Sequence, residues 1–233
     1  MERRENCKDT DRKSKVFIMS SKAINTVKSK KSITKIMYRS RGETAIVECY
    51  PRDNKVVKHF VPRKKKFGVG HGPLRGSLEM CFAREVECLR RLKGEKHFPQ
   101  LINHDIKNLT IEMSYVGRPF RHFADDDRQK YIEQVDLIVD TLTKHKIKLA
   151  YELNPNDGKT GYMLSMMMVH HDQLNIIDFE RAWPFGFEQD ESITDALRSS
   201  FDHHNDAKFK SMLRETIITV NKEESPKGYY EEE

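Results

Sequence analysis

Lys58 is set in an apolar stretch, Val56-Val57-Lys58-His59-Phe60. A lysine carried towards a core by such a strand needs an anionic partner or an anionic ligand. Glu85, on the next predicted helix, is placed to be that partner. Asp178 directly follows another apolar strand, in Ile176-Ile177-Asp178-Phe179-Glu180. A carboxylate at a strand end, between large hydrophobes, is well placed to bind a metal. Singly, each group reads more readily as an ordinary ion pair or cap. Taken together, they are the kinds of group that phosphoryl transfer requires: a cation for nucleotide phosphates, carboxylates for Mg²⁺, and a polar group to orient an acceptor hydroxyl.

The elements around these residues can be read from the pattern of apolar positions. Between Ser32 and Phe60, strand formers come in short runs separated by turns at Arg39-Ser40-Arg41-Gly42 and Pro51-Arg52-Asp53-Asn54, which predicts an antiparallel meander. A basic, glycine-rich stretch follows, from Val61 to Ser77. The apolar positions Leu78, Cys81, Phe82, Val86, Leu89 and Leu92 then recur at helical spacing. Two short strands are predicted around 100–105 and 109–113, and Gly117-Arg118-Pro119 breaks the chain. Tyr131, Val135, Ile138, Val139 and Leu142 predict one helix from Asp125 to Lys144, with acidic residues at its N-terminus, where the helix dipole favours them. A loop at 151–161, a turn at Asp172-Gln173, a buried strand at 174–177 and helices near 192–199 and 206–220 complete the reading.

Composition narrows the class. The chain has 233 residues, which suits one two-lobed domain. It is 33% charged and 37% hydrophobic, with a net charge of +6, and part of that polarity sits in its two ends. The basic runs Lys28-Ser29-Lys30-Lys31 and Arg63-Lys64-Lys65-Lys66 read as solvated faces or as attractors of polyphosphate or nucleic acid. None of the four cysteines forms a C-x-x-C pair. Cys81 and Cys88 share a helix face as small buried hydrophobes. No apolar run is long enough to span a bilayer, and the charged N-terminus does not read as a signal peptide. A cytoplasmic, reducing location is expected. His170-His171 and His203-His204 have no further ligand at zinc spacing, and adjacent histidines on a strand would point opposite ways. Met166-Met167-Met168 reads as core packing. Gly68-Val69-Gly70-His71-Gly72 lies between a strand and a helix but does not complete a dinucleotide fingerprint.

From Ser32 to Trp183 the sequence resembles the protein-kinase-like superfamily. Val56-Val57-Lys58 resembles the third-strand lysine motif. Phe82-Ala83-Arg84-Glu85-Val86 is similar to the helix that carries the lysine's glutamate partner. His97-Phe98-Pro99-Gln100-Leu101-Ile102 resembles the entry to the fourth strand. Ile111-Glu112-Met113-Ser114-Tyr115-Val116-Gly117 resembles the fifth strand and hinge, with Met113 as gatekeeper. Ile177-Asp178-Phe179-Glu180 resembles the D-F-G motif, with Glu where Gly is usual. Within the superfamily, the short activation segment and the I-D-F-E-R-A strand end are similar to the RIO-type and lipopolysaccharide (Kdo) kinases.

Two departures stand out. The glycine-rich phosphate loop is reduced to Gly42, which leaves fewer freely approachable backbone N–H groups. The catalytic loop is best matched by Ala150-Tyr151-Glu152-Leu153-Asn154-Pro155-Asn156-Asp157, with Glu152 for the usual catalytic aspartate and Asp157 for the usual metal-binding asparagine. Counting back from Asp178 instead puts Gly161 and Met166 at those positions and leaves no catalytic carboxylate.

The resemblance implies an α+β, two-lobed fold. A basic segment (1–31) precedes a nucleotide-binding lobe (32–117), in which a small antiparallel sheet carries one helix. A reduced, mainly helical lobe (118–220) and an acidic tail (221–233) follow. It implies ATP and Mg²⁺ as ligands. Lys58 would sit on the phosphates, with Glu85 holding it. Gly42, Met113 and Tyr115 would line the nucleotide, Asp178 and Asp157 would bind the metal, and Glu152 would orient a protein or small-molecule acceptor. A pseudokinase that binds or scaffolds without turnover is the first rival. A nucleic-acid-binding protein using the basic first third is the second.

Overall fold

In the first half of the chain, β1 (Tyr38–Arg41), β2 (Ala45–Tyr50) and β3 (Lys55–Phe60) run antiparallel in succession. A 3₁₀ turn, Pro51–Asp53, joins β2 to β3, and Asn54 closes it in the left-handed conformation at φ 48°. Proline presets the first turn dihedral, and asparagine tolerates the positive φ. The structure is a computed structural model that describes residues 38–41, 45–61, 77–123, 127–149, 164–187 and 206–221. All of them belong to one unit, Thr34–Glu233.

Helix α1 (Leu78–Arg91) begins at Ser77, whose Oγ accepts the Met80 N–H at 3.2 Å and so caps an otherwise orphaned donor. Its stripe of Cys81, Phe82, Val86, Cys88 and Leu89 is buried, and Phe82 meets Phe60 of β3 edge to face. As expected, the cysteines serve as small core residues. Burial pushes the Cys49 thiol up to about 11 and the Cys88 thiol well above its ordinary value. The chain returns in β4 (Leu101–Asp105) and β5 (Thr110–Ser114). The five-stranded sheet has the order β1-β2-β3-β5-β4, which makes β3 central. This is the antiparallel sheet with one helix that the resemblance implies. Lys58 sits mid-sheet, opposite Val47 on one side and Ile111 on the other.

The second half holds β6 (Arg118–Pro119), α2 (Gln129–Ile132), α3 (Val135–Lys144), β7 (Ile147–Lys148), β8 (Met167–His170), β9 (Gln173–Ile176), β10 (Trp183–Pro184) and α4 (Asp206–Thr219). β6, β8 and β9 form a small antiparallel sheet. Gly117 enters it at φ 101°, where a Cβ would overlap the Val169 carbonyl, so only glycine allows this approach. One apolar core runs through both halves, from Phe60 and Phe82 through Phe98, Tyr131 and Phe179 to Leu213. No helix among the described residues is long and apolar enough to cross a membrane.

Three local expectations are corrected. The helix predicted from Asp125 to Lys144 is split into α2 and α3 around Gln134. The Gln134 side chain donates to the carbonyls of Lys130 and Asp172, both at 2.9 Å, and accepts the Leu174 N–H at 2.8 Å. This glutamine clamps the β8–β9 hairpin, a tertiary contact that helical periodicity does not report. The hairpin turn falls on His171 and Asp172, at φ 48° and 60°, one residue earlier than read. For the same reason the His170 and His171 rings do not diverge but lie 4.1 Å apart, because His171 has already left the strand.

Candidate active site

β3 presents Lys58 to α1 and to the end of β9, and the residue is buried at 6% exposure. Its Nζ donates to Glu85 Oε2 at 2.6 Å and to Asp178 Oδ1 at 2.8 Å. Glu180 Oε2 stands at 3.4 Å as a third carboxylate. The chain thus brings together, in one buried cluster, the three residues that sequence reading singled out on three separate elements. It adds Glu180, which that reading noted only as a substitution for glycine.

Each element is held by its own interactions. Glu85 projects from the middle of α1, on the face that carries the buried stripe. Asp178 follows β9 in the left-handed conformation, at φ 70° and ψ 68°. Aspartate tolerates this region better than most side chains. A 3₁₀ turn, Phe179–Arg181, comes directly after it, with Phe179 completely buried beside Phe98. The link between α1 and β4 fixes the approach to Asp178. His97 Nδ1 bonds the Leu174 carbonyl at 2.7 Å, and the His97 carbonyl accepts the Ile176 N–H at 2.9 Å.

Charge balance in the cluster is uneven. Burial alone would lower the Lys58 ammonium, but the carboxylates of Asp178, Glu85 and Glu180 outweigh it and hold Lys58 well above its ordinary value. Burial pushes the Glu85 carboxyl up to about 7; Lys58 opposes that shift and the Asp178 charge adds to it. The Lys58 direction follows from the three carboxylates around one ammonium, and the Glu85 direction chiefly from its burial. The oxygens of Glu85, Asp178 and Glu180 all lie within 4.8 Å of one another. Hard carboxylate oxygens at that spacing fit Mg²⁺, which takes oxygen ligands from one or two carboxylates and keeps several waters.

Met113 is a buried residue of β5, in register with Val56 and Leu101. Tyr115 follows it; its N–H donates to the Asn54 carbonyl at 3.2 Å, and its ring meets His170 edge-on. Gly42, Glu152, Asp157 and Gly161 lie outside the described residues. Met166 is a core residue whose carbonyl accepts the Ile177 N–H at 3.0 Å. A cavity of about 310 Å³, which the sequence did not reveal, opens beside Glu95, His97, Gln100, Ser114, Tyr115 and His170. None of the Lys58 cluster lines it. In its wall, burial and the neighbouring His171 lower His170, so the ring favours its neutral form.

No protein-family model matches this sequence, and no curated protein matches it. Solved structures do. The Rio2 kinase from Chaetomium thermophilum is matched at 14% identity and TM-score 0.48, over 82% of this chain and 60% of that one. WbdD is matched at 11% identity and TM-score 0.48, over 78% and 45%. The Cydia pomonella granulovirus kinase PK-1 is matched at 12% identity and TM-score 0.42, over 65% and 55%. This chain therefore spans about half to three-fifths of the length of these structures. The likeness is one of fold alone, and residue roles are taken from the geometry of this chain.

Proposed function

We propose that this chain binds Mg²⁺-ATP at the Lys58 cluster and transfers its terminal phosphoryl group to an alcohol acceptor, as a minimal kinase of the protein-kinase-like type. One observation carries the reading: a buried lysine of the central strand bridges a helix carboxylate and a strand-end carboxylate, at 2.6 and 2.8 Å. A buried charge cluster of this kind is a poor device for stability, and its cation and carboxylates match what phosphate and metal require. Lys58 holds the α- and β-phosphates, and Glu85 keeps Lys58 in place. Asp178, with Asp157, is the metal ligand. Gly42, Met113 and Tyr115 line the nucleotide. Glu152 orients the acceptor hydroxyl. When bound, Mg²⁺ neutralises charge on the phosphates. Residues 32–117 form the nucleotide lobe and 118–220 the reduced second lobe. The buried thiols suit a reducing, cytoplasmic setting.

Mg²⁺-ATP is expected to raise the melting temperature, by an amount equivalent to ~2.7 kcal/mol at a hundredfold excess over Kd. No shift at millimolar Mg²⁺-ATP, with the protein folded, removes the reading. Asp178→Asn should lose Mg²⁺ dependence and turnover together. Glu152→Gln divides enzyme from pseudokinase. Loss of phosphoryl transfer with ATP affinity kept marks an enzyme, since the loss then falls on the transition state. A parent that binds ATP but never turns it over is the pseudokinase.

A further inference from the structure

The cavity of about 310 Å³ beside His97 and Tyr115 is separate from the Lys58 cluster, and no residue of β1, β2 or β3 lines it. Its walls come from the α1–β4 link, the end of β5 and the β8–β9 hairpin. Two side-chain amides fix those walls and are used up in doing so. Gln100 accepts the Gly94 N–H and donates to the carbonyls of Glu95 and Phe98. Asn175 donates to the carbonyls of Val116 and Gln173 and accepts from the Gln173 side chain at 2.7 Å.

Three other polar groups in the walls keep capacity in reserve. His97 is 5% exposed and held at φ 71°. Its Nδ1 meets the Leu174 carbonyl at 2.7 Å, and a carbonyl only accepts, so Nδ1 carries the proton. In the neutral ring that leaves Nε2 as an acceptor, with no partner among the described residues. The Gln173 Nε2 is spent on Asn175, and its Oε1 is a second acceptor without a partner among them. Ser114 Oγ accepts the Gln100 N–H at 2.8 Å, so its O–H remains to donate. Buried polar groups are ordinarily satisfied, so an unused acceptor on a residue as buried as His97 calls for a donor from outside the chain. The rings of Tyr115 and His170, edge to face at 5.5 Å, add a surface suited to a flat ring. An ion gains little here. The Glu95 carboxylate is already held by Lys144 at 2.8 Å and His145 at 2.7 Å, and Lys96 is exposed to water.

We infer that this cavity is a second ligand site, for an uncharged aromatic amide whose N–H donates to His97 Nε2 and whose carbonyl accepts from the Ser114 hydroxyl. The inference does not rest on the proposed function, since the site shares no residue with the Lys58 cluster. A ligand held this way joins the α1–β4 link to the end of β5.

The test is an amide-resolved NMR titration of the full chain with benzamide as the probe. Benzamide is expected to bind at about millimolar affinity or tighter, and to move the backbone amides of Gly94, His97, Ser114 and Gln173. N,N-dimethylbenzamide, which has no N–H, and benzoate, which carries a charge, should each bind about tenfold more weakly. His97→Asn tolerates the positive φ and keeps a donor for the Leu174 carbonyl, but removes Nε2. It should weaken benzamide about tenfold and leave the dimethyl analogue unchanged. If that variant does not fold, His170→Trp, which fills the cavity from a partly buried wall position, should abolish benzamide binding instead. Benzamide that leaves those four amides unmoved up to its solubility overturns the inference. So does a dimethyl analogue or benzoate that binds as tightly as benzamide, and so does either variant if it binds benzamide like the parent.

Discussion

Two clusters in this molecule use the same chemistry in opposite surroundings. Lys58 is shared among Glu85, Asp178 and Glu180. On the surface between α3 and α4, Lys210 is shared between Asp136 at 3.2 Å and Asp140 at 2.6 Å, with Arg214 at 2.7 Å from Asp136. The distances are alike, but the solvent is not. The Asp136 and Asp140 side chains are more than half exposed, whereas those of Glu85 and Glu180 are almost fully buried. Water screens the surface cluster, and an exposed ion pair contributes little. Buried charges have lost that hydration, so the inner cluster depends on the Lys58 ammonium that its carboxylates share. The comparison separates an ion cluster that water makes cheap from one that burial has made costly.

Removing the central cation should show the contrast most strongly. Lys58→Met leaves three buried or half-buried carboxylates without their ammonium, and is expected to cost about 3–5 kcal/mol of stability by chemical denaturation. It should also abolish nucleotide binding. Lys58→Arg keeps the charge and should recover most of the stability but not the binding, because a planar fork replaces a point charge. A Lys58→Met protein as stable as the parent would mean that the cluster is hydrated after all.

A smaller effect is expected from pH. Burial raises the Glu85 carboxyl to about 7 in the folded chain. Between its ordinary value and about 7, the folded state therefore binds more protons at this site than the unfolded state does. The contribution of Glu85 to stability accordingly grows as pH falls through 7, and levels off once the unfolded glutamate is protonated too. The melting temperature of the parent should rise from about pH 8 to about pH 6, and Glu85→Gln should lack that component. The same pH slope in both proteins would assign the titration elsewhere. The smallest effect belongs to the surface. Lys210→Ala should change stability by no more than ~0.5 kcal/mol, and less in high salt. A loss of several times that amount would erase the contrast between the two clusters.

Much of the sheet-and-helix half was legible in the chain. The strands around the Pro51–Asn54 turn and the stripe from Leu78 to Leu92 are local patterns, and their periods, two and 3.6, are properties of the backbone. Lys58 and Glu85 could be paired on paper because each stood at a conspicuous place in its own element. The break at Gln134 could not be foreseen, since its side chain answers to Asp172 and Leu174 on a distant hairpin. Neither could the cavity by His97 and Gln100, which three separate segments enclose.

The sequence by itself determined the element types, the charged residues set in apolar surroundings, and the order in which lysine, glutamate and aspartate occur. Local propensity and hydrophobic periodicity suffice for these. Only the tertiary structure decided that one ammonium faces three carboxylates. Glu180 reaches Lys58 because Asp178 turns through the left-handed region and a 3₁₀ turn follows it, which redirects the side chain two residues on. That direction depends on Phe179 filling a place beside Phe98, and on His97 holding β9 through the carbonyl of Leu174. Packing between residues far apart in the chain sets these directions, and no local pattern records them.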